Sequence, residues 1–274
     1  KYVHALMNIL LIPQYIIRMY QFIIALIHMV TCVAGLTTPV SLVNTHTFLE
    51  RTANKKLITL SPGGLAGFYM LGVVTYIQEN YDTSEFQILG ASAGAWNALP
   101  MVYNGPINDV VQDILCNYRA IDGDGDVSSI QQLQRNIQEL ITTNYKDDEF
   151  DLERINIATT RVIKTGFEQL IICDITTLQQ ATDSCIASSH IPFVSGTVPK
   201  INNKRLYDGG FQKFPPENIQ ECLNITPNMW ETNQKEEYHE LLNIKNLHAF
   251  ESYYEKGFKD SQNNRDFLHS YLSN

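Results

Sequence analysis

Residues 86–94, FQILGASAG, set Ser92 in a Gly-x-Ser-x-Gly frame between a short apolar run and a helical one, and few folds accommodate that order. A strand that ends in a serine-bearing turn and passes straight into a helix is the local signature of a nucleophile elbow in an α/β sheet. The turn needs room on both sides. Gly90 and Gly94 supply it, because a side chain at either position would block the close approach of strand and helix. A helix over residues 93–102 aims its N-terminus at the serine, where negative charge would collect on an acyl substrate. Alone, the pentapeptide also reads as a turn without chemistry.

A second strand–loop–helix unit lies just upstream. Lys56–Ser61 reads as a buried strand, Pro62-Gly63-Gly64-Leu65-Ala66-Gly67 as a glycine-rich loop, and Phe68–Asn80 as a helix with Met70, Val73, Val74 and Ile77 on its apolar side. The interval to Ser92 is the length of one crossover, so loop and elbow are expected side by side at the carboxyl edge of a parallel sheet, where such sheets place their sites. The amides of Gly63, Gly64 and Leu65 are candidate donors to an oxyanion; Pro62 has no N–H to give. A phosphate-binding loop is the rival reading, but Pro62 interrupts the Gly-x-Gly-x-x-Gly frame and no acidic residue ends the next strand. Further on, Asp208-Gly209-Gly210 follows Arg205-Leu206-Tyr207. A carboxylate before two glycines can approach a partner with little steric cover, and Asp-Gly is equally a common turn dipeptide.

These three pieces, with Ala187-Ser188-Ser189-His190-Ile191-Pro192-Phe193 before the last, come in one order over residues 55–215 and resemble the patatin-like phospholipase family. The resemblance implies a three-layer α/β/α fold with a mainly parallel central sheet. It also implies a lipid acyl hydrolase that works through a Ser–Asp dyad without histidine, metal or cofactor. Carried over by position, Ser92 is the nucleophile, Asp208 the base and the Gly63, Gly64 and Leu65 amides the oxyanion hole, with Gly67, Gly90, Gly94, Gly209 and Gly210 supporting the motifs. Where most members have Gly-Gly-Gly-x-Arg/Lys-Gly, this chain has Pro62 first and Ala66 at the basic position. The lipid-droplet triglyceride lipases of the superfamily are similar in carrying an apolar residue there. The loss of the basic side chain weakens any claim that the substrate must carry a phosphate, so triacylglycerol stands beside phospholipid, the first expectation for the substrate.

A dyad asks its aspartate to take the serine proton directly. An ordinary aspartate, with a pKa of about 4, is a weak base, and burial beneath an acyl-binding groove would strengthen it. A Ser–Asp–His triad is the internal rival, with a histidine drawn from His239, His248 or His269. Those three sit in a polar, helix-like tail and read as solvated-face residues. His190, just before Ile191-Pro192, reads as a pocket-lining or a local packing or capping residue.

Charge and cysteine content exclude several classes. The 274 residues carry a net charge of −9 with basic residues scattered along the chain, which argues against nucleic acid and against simple electrostatic binding to anionic lipid. Five cysteines without Cys-x-x-Cys spacing argue against a structural zinc. Asp122, Asp124 and Asp126 alternate like the start of a calcium loop, but Val127 and Leu133 stand where that loop needs glycine and glutamate. A loop leading into a helix over Ser129–Thr143 is the better account, with Ser128 and Gln131 as a capping box and Ile130, Leu133, Ile137, Leu140 and Ile141 as its buried stripe.

The first 40 residues differ in kind. Met19–Leu36 contains no Asp, Glu, Lys or Arg and is about long enough to cross a bilayer. A membrane anchor, a signal sequence cleaved near Cys32-Val33-Ala34 and a long core helix compete for it. The anchor is the expectation, which makes the protein membrane-associated and its partner a membrane or lipid aggregate. Secretion is the alternative, and the sequon Asn224-Ile225-Thr226 would permit it. The organisation expected is a hydrophobic segment over 1–40, a catalytic core over 55–215 and a helical extension of the same domain over 216–274. Within the core, Ile155–Ile163 and Phe167–Cys173 read as paired strands joined by Lys164-Thr165-Gly166, and Thr177–Ser189 as a helix. Residues 234–272 read as helices packed on the outside, with Tyr253, Tyr254 and Phe258 as core contacts. Two function classes stand: a serine hydrolase releasing fatty acid from glycerolipids, with transacylation as a variant, and a lipid-binding protein with a disabled site.

Overall fold

The computed structural model describes residues 34–36, 40–124, 130–219, 222–230 and 250–273. Nine strands and eight α-helices among them make an α/β architecture. The central sheet has six strands: β2 (Ser41–Asn44), β3 (Lys56–Leu60), β4 (Phe86–Ala91), β5 (Ile155–Ile163), β6 (Gly166–Cys173) and β9 (Cys222–Ile225), in the order β2-β6-β5-β4-β3-β9. β5, β4, β3 and β9 run parallel, while β6 returns as a hairpin and β2 pairs with it antiparallel. A second sheet joins β1 (Ala34–Leu36), β7 (Pro199–Ile201) and β8 (Lys204–Arg205).

Strand periodicity divides the core into two. Ile58, Leu60, Ile88, Ile157 and Ile172 face the larger core, built with helices α2 (Gly67–Asn80), α3 (Ala93–Met101), α4 (Ile107–Asp124), α5 (Ile130–Asn144) and α6 (Leu178–Ser188). Their neighbours Leu57, Leu89, Ala158 and Ile171 face the other side, where Phe48 of α1 (Thr45–Thr52) packs. Alternate residues thus point to opposite buried faces, as the pleat requires. Helices cover both faces, an arrangement compatible with three layers.

The expected crossover is in place. β3 and β4 are adjacent and parallel, so the chain after Leu60 and the chain after Ala91 leave the same edge of the sheet. The expected β5–β6 hairpin and the helix ending at Ser188 are also present. In α5 the residues fully buried from the expected stripe are Leu133, Ile137 and Ile141. The aspartates differ from expectation: α4 continues through Asp122 and Asp124, so these residues are helical rather than part of a loop. Ser128, and with it the capping box, lies outside the described residues.

The sheet also draws on residues either side of 55–215. β2 forms one edge and β9, in the stretch expected to be helical, forms the other against β3. Asn224 of the sequon sits in β9 and accepts hydrogen bonds from Thr59 (2.8 Å) and Ser61 (3.2 Å) through Oδ1, which leaves its amide group committed to the sheet. Cys173 and Cys185 are buried free thiols. The anchor, signal and core-helix readings fall on residues 1–33, outside the described residues, and the final Ala34–Leu36 of that apolar run is strand. No helix among the described residues is long and apolar enough to cross a membrane.

The late helices α7 (Phe250–Asn263) and α8 (Arg265–Leu272) contribute directly to the core. Tyr253, Tyr254 and Phe258 pack against it as expected. α7 lies on α2 so closely that a Cβ on Gly257 would stand 2.0 Å from the Tyr69 carbonyl oxygen, and one on Gly72 2.1 Å from that of Tyr254. Backbone cannot yield as a side chain can. Gly257→Ala is therefore expected to destabilise the fold by about 2 kcal/mol, read as a lower urea midpoint with an unchanged slope.

Candidate active site

The elbow is built by sequence constraints at three points. Ser92 joins β4 to α3 with φ 54° and ψ −120°, a conformation that costs a non-glycine residue about 1–3 kcal/mol and persists only when its surroundings impose it. Gly94 is held so close to β3 that a Cβ there would lie 1.9 Å from the Leu60 carbonyl oxygen. At Gly90 a Cβ would meet the Gly94 oxygen at 2.5 Å. Both frame glycines are thus required by contact. A third restraint comes from Ser188, at the end of α6: its hydroxyl accepts from the Ser92 amide at 2.8 Å and donates to the Ala158 carbonyl at 2.6 Å, tying elbow, helix and β5 together.

Asp208 arrives from the other direction. Tyr207 bridges to Thr160 of β5, the Asp208 amide donates to the His190 carbonyl at 3.0 Å, and the side chain is thereby set beneath the elbow. Ser92 Oγ donates to Asp208 Oδ2 at 2.7 Å, and both residues are buried. Oδ1 accepts from the Gly210 amide at 2.6 Å. Gly209 lies against β5, where a Cβ would come within 2.3 Å of the Ala158 oxygen, and Gly210 lies against Pro62. Burial pushes the Asp208 carboxyl up to about 6, with the hydrogen bonds from Ser92 and Gly210 opposing the rise. The carboxylate is thus a stronger base than a solvated one, within direct reach of a hydroxyl.

The glycine loop forms the facing wall. Gly63, Gly64 and Leu65 line the same cavity as Ser92, Gly64 adopts a left-handed φ of 52°, and residues 64–66 form a single 3-10 turn leading into α2. Gly67 packs on Ala93, leaving 2.9 Å for a Cβ. Ala66, at the position where the resemblance leads one to look for a basic side chain, is buried and apolar.

The cavity has a volume of about 1080 Å³. Ser92 and Asp208 stand in its wall, and its buried lining comes from four helices: Leu71 of α2, Leu99 of α3, Ile114 of α4, and Leu133, Ile137 and Ile141 of α5. Its polar features are few. Ser189 Oγ accepts from Trp96 Nε1 (3.0 Å) and Gln134 Nε2 (2.9 Å) and donates to the Cys185 carbonyl (2.6 Å). Such a lining suits a long apolar group attached to a polar reacting centre.

The histidines are placed otherwise. His190 is buried beside the Tyr207 ring, with neither ring nitrogen meeting a protein partner, and burial pushes it down to about 4, so it is neutral at pH 7. It packs behind Asp208 and does not line the cavity. His269 is on α8 with its Nδ1 2.8 Å from Ser273 Oγ and is not among the residues lining the cavity; His239 and His248 lie outside the described residues. Among the described residues no histidine stands between Ser92 and Asp208, which bond directly. Among the described residues no group of His, Cys, Asp or Glu is arranged to hold a metal ion.

Trp96 and Gln134 lie outside the motifs, and Ser188 and Ser189 lie within one that gave them no role at the site. Ser188 sat in a stretch of small residues whose only legible trait was size, and its hydrogen bonds cross 96 and 30 positions of sequence. No protein-family model and no curated protein sequence matches this chain.

Proposed function

We propose that the protein is a lipid acyl hydrolase of patatin-like type, a three-layer α/β/α enzyme that cleaves carboxyl esters of glycerolipids through a Ser92–Asp208 dyad. The observation that carries this reading is the 2.7 Å Ser92–Asp208 hydrogen bond in the wall of a large apolar cavity. Asp208 Oδ2 takes the Ser92 proton as Oγ attacks the ester carbonyl carbon. The Gly63, Gly64 and Leu65 amides and the N-terminus of α3 hold the oxyanion, a contribution commonly about 3 kcal/mol per donor. Asp208 then returns the proton to the leaving alcohol oxygen as the ester C–O bond breaks, leaving an acyl group on Ser92. Water, deprotonated by the same carboxylate, releases the fatty acid and restores the serine.

Phospholipid is the substrate proposed first, presented at a membrane or lipid aggregate. The buried Ala66 offers no cation to a phosphate, which supports triacylglycerol as the second reading. Fatty-acid release from mixed micelles of phosphatidylcholine and triacylglycerol tests both at once: the ratio of products assigns the substrate class, and no release from either, by a folded protein, favours a lipid-binding protein instead.

The acyl chain is assigned to the part of the cavity bordered by α4 and α5. Ile137→Trp is expected to fill that region and lower kcat/KM for a long-chain ester by about tenfold or more, with little effect on a butyryl ester. A parallel loss on both esters would remove the acyl chain from this part of the cavity.

A further inference from the structure

Consecutive residues at the end of α6 hold both members of the dyad. Ser188 Oγ accepts from the Ser92 amide at 2.8 Å and donates to the Ala158 carbonyl at 2.6 Å. Two residues on, the His190 carbonyl accepts from the Asp208 amide at 3.0 Å. Ser189, between them, pins the segment itself: Gln134 Nε2 of α5 donates to its carbonyl (3.1 Å) and its hydroxyl (2.9 Å), and Trp96 Nε1 of α3 to the same hydroxyl (3.0 Å). Ser92 and Asp208 are 116 positions apart in sequence, yet one short stretch of chain spans the 2.7 Å contact between them.

Ser188 departs from what its helix does elsewhere. A serine or threonine hydroxyl within a helix ordinarily turns back on the carbonyl four residues earlier. On α6 Thr182 bonds the Leu178 carbonyl in this way at 2.9 Å, and Ser184 the Gln180 carbonyl at 2.6 Å. Ser188 gives its proton to β5 instead, which fixes the side of its oxygen that faces the Ser92 amide. The register of β4 with β5 ends at the pair Ala91–Ala158, so the hydroxyl bridges the two strands just where Ser92 leaves the sheet. Ser188 and Ala158 are fully buried and Ser92 is nearly so, which leaves water little access to the bond.

What the bond controls is direction. The peptide group that ends at the Ser92 nitrogen is planar, so holding its N–H fixes the axis about which φ of Ser92 turns. That φ is 54°, in a region that non-glycine residues leave when nothing restrains them. Rotation about the axis swings Oγ through an arc, and a displacement of about 1 Å at a reacting atom can cost roughly a hundredfold in rate. The geometry points to Ser188 as a positioning residue for the dyad: its hydroxyl holds the elbow in the backbone conformation that aims Ser92 Oγ at Asp208. Ser188 is not among the residues lining the cavity, so it acts through Ser92 and not on a substrate. Its effect on rate rests on the acyl hydrolase reading.

Steady-state kinetics of the full chain on a soluble butyryl ester test this, with Ser188→Ala and Ser184→Ala compared. Ser184 is the control because it is equally buried, lies one turn earlier on the same helix and bonds within that helix. Ser188→Ala is expected to lower kcat by about 10–100-fold with KM within about twofold of the parent. Ser184→Ala should keep the parental kcat at a comparably lowered thermal midpoint. Ser188→Cys, which puts a weak donor and acceptor at the site, should show the same loss and decides the matter if the alanine variant does not fold. A parental kcat in a folded Ser188 variant, or an equal loss at Ser184, overturns the proposal.

A second readout needs no turnover. The hydrogen bond from Ser92 lowers the Asp208 carboxyl, so a displaced hydroxyl should let that group, at about 6 in the parent, titrate higher. Carboxyl NMR follows this titration in the parent and the variants. Upward movement is expected in the Ser188 variants alone, and an unmoved value there overturns the proposal. A parent that hydrolyses no ester counts against the hydrolase reading and leaves this titration to judge Ser188, so the two ideas fail separately.

Discussion

Ser92→Ala is expected to lower kcat/KM for ester hydrolysis by roughly 10⁴-fold or more while leaving a folded protein. The size follows from what the hydroxyl does in the proposed mechanism. It forms the covalent bond, and among the described residues no other nucleophile in the cavity wall has a carboxylate at 2.7 Å to take its proton. The residual rate is set by the oxyanion donors and the apolar cavity acting on water. Steady-state kinetics on a dispersed long-chain ester, with a fluorophosphonate labelling the parent but not the variant, measures both halves of the claim. A variant retaining a hundredth of the parent rate would sink the serine mechanism. The same change removes a hydrogen bond that lowers the Asp208 pKa, so in the variant this carboxyl should titrate above its value of about 6.

Asp208→Asn is expected to separate activity from stability. Asparagine keeps the shape, its carbonyl able to accept from the Gly210 amide and its amide able to donate to Ser92 Oγ, but it cannot take a proton. Loss of activity should approach that of the serine variant. Stability should move the other way. The carboxyl of Asp208 has a folded pKa of about 6 against an ordinary 3.8, so its contribution to stability is complete below 3.8 and is lost as pH rises through 6. Above pH 7 the ionised, buried group costs the native state on the order of 2–3 kcal/mol, which the neutral amide avoids. The variant should therefore melt higher than the parent at pH 8, by roughly 5–10 °C, with the gap closing towards pH 4. In the parent, kcat/KM should rise as pH passes about 6 and then level off, because the base must be ionised to act. A variant that melts lower at pH 8 would show that the carboxylate stabilises the fold, contrary to its burial.

What was legible in the sequence is what local geometry dictates. Gly90 and Gly94 flag the elbow because two close backbone approaches leave no alternative there, and the apolar stripe of α5 follows from helical period, whereas α2 is buried at every position from Gly67 to Ile77 and has no single apolar side. Asp208 was legible only through the order of motifs, since its partner is 116 positions away. β2 and β9 were not legible as strands. SLVN and CLNI are four residues each, too short for alternation to register, and they are strands because β6 and β3 offer them open edges. Periodicity also marks Ile137 as inward-facing without saying that it borders a space rather than a neighbour.

The pairing of β3 with β9 has a consequence for biosynthesis. Thr59 and Asn224 are bonded across 165 positions, and Gly72 waits still longer for the helix that covers it. At about 5–20 residues per second a ribosome needs roughly 10–30 s to supply that partner. Throughout that interval β3 presents a bare edge and α2 an unclothed face, the surfaces on which nascent chains associate wrongly. Chaperone demand during translation should therefore peak between the emergence of β3 and that of α7, and the site around Ser92 should mature only after synthesis of the last helices.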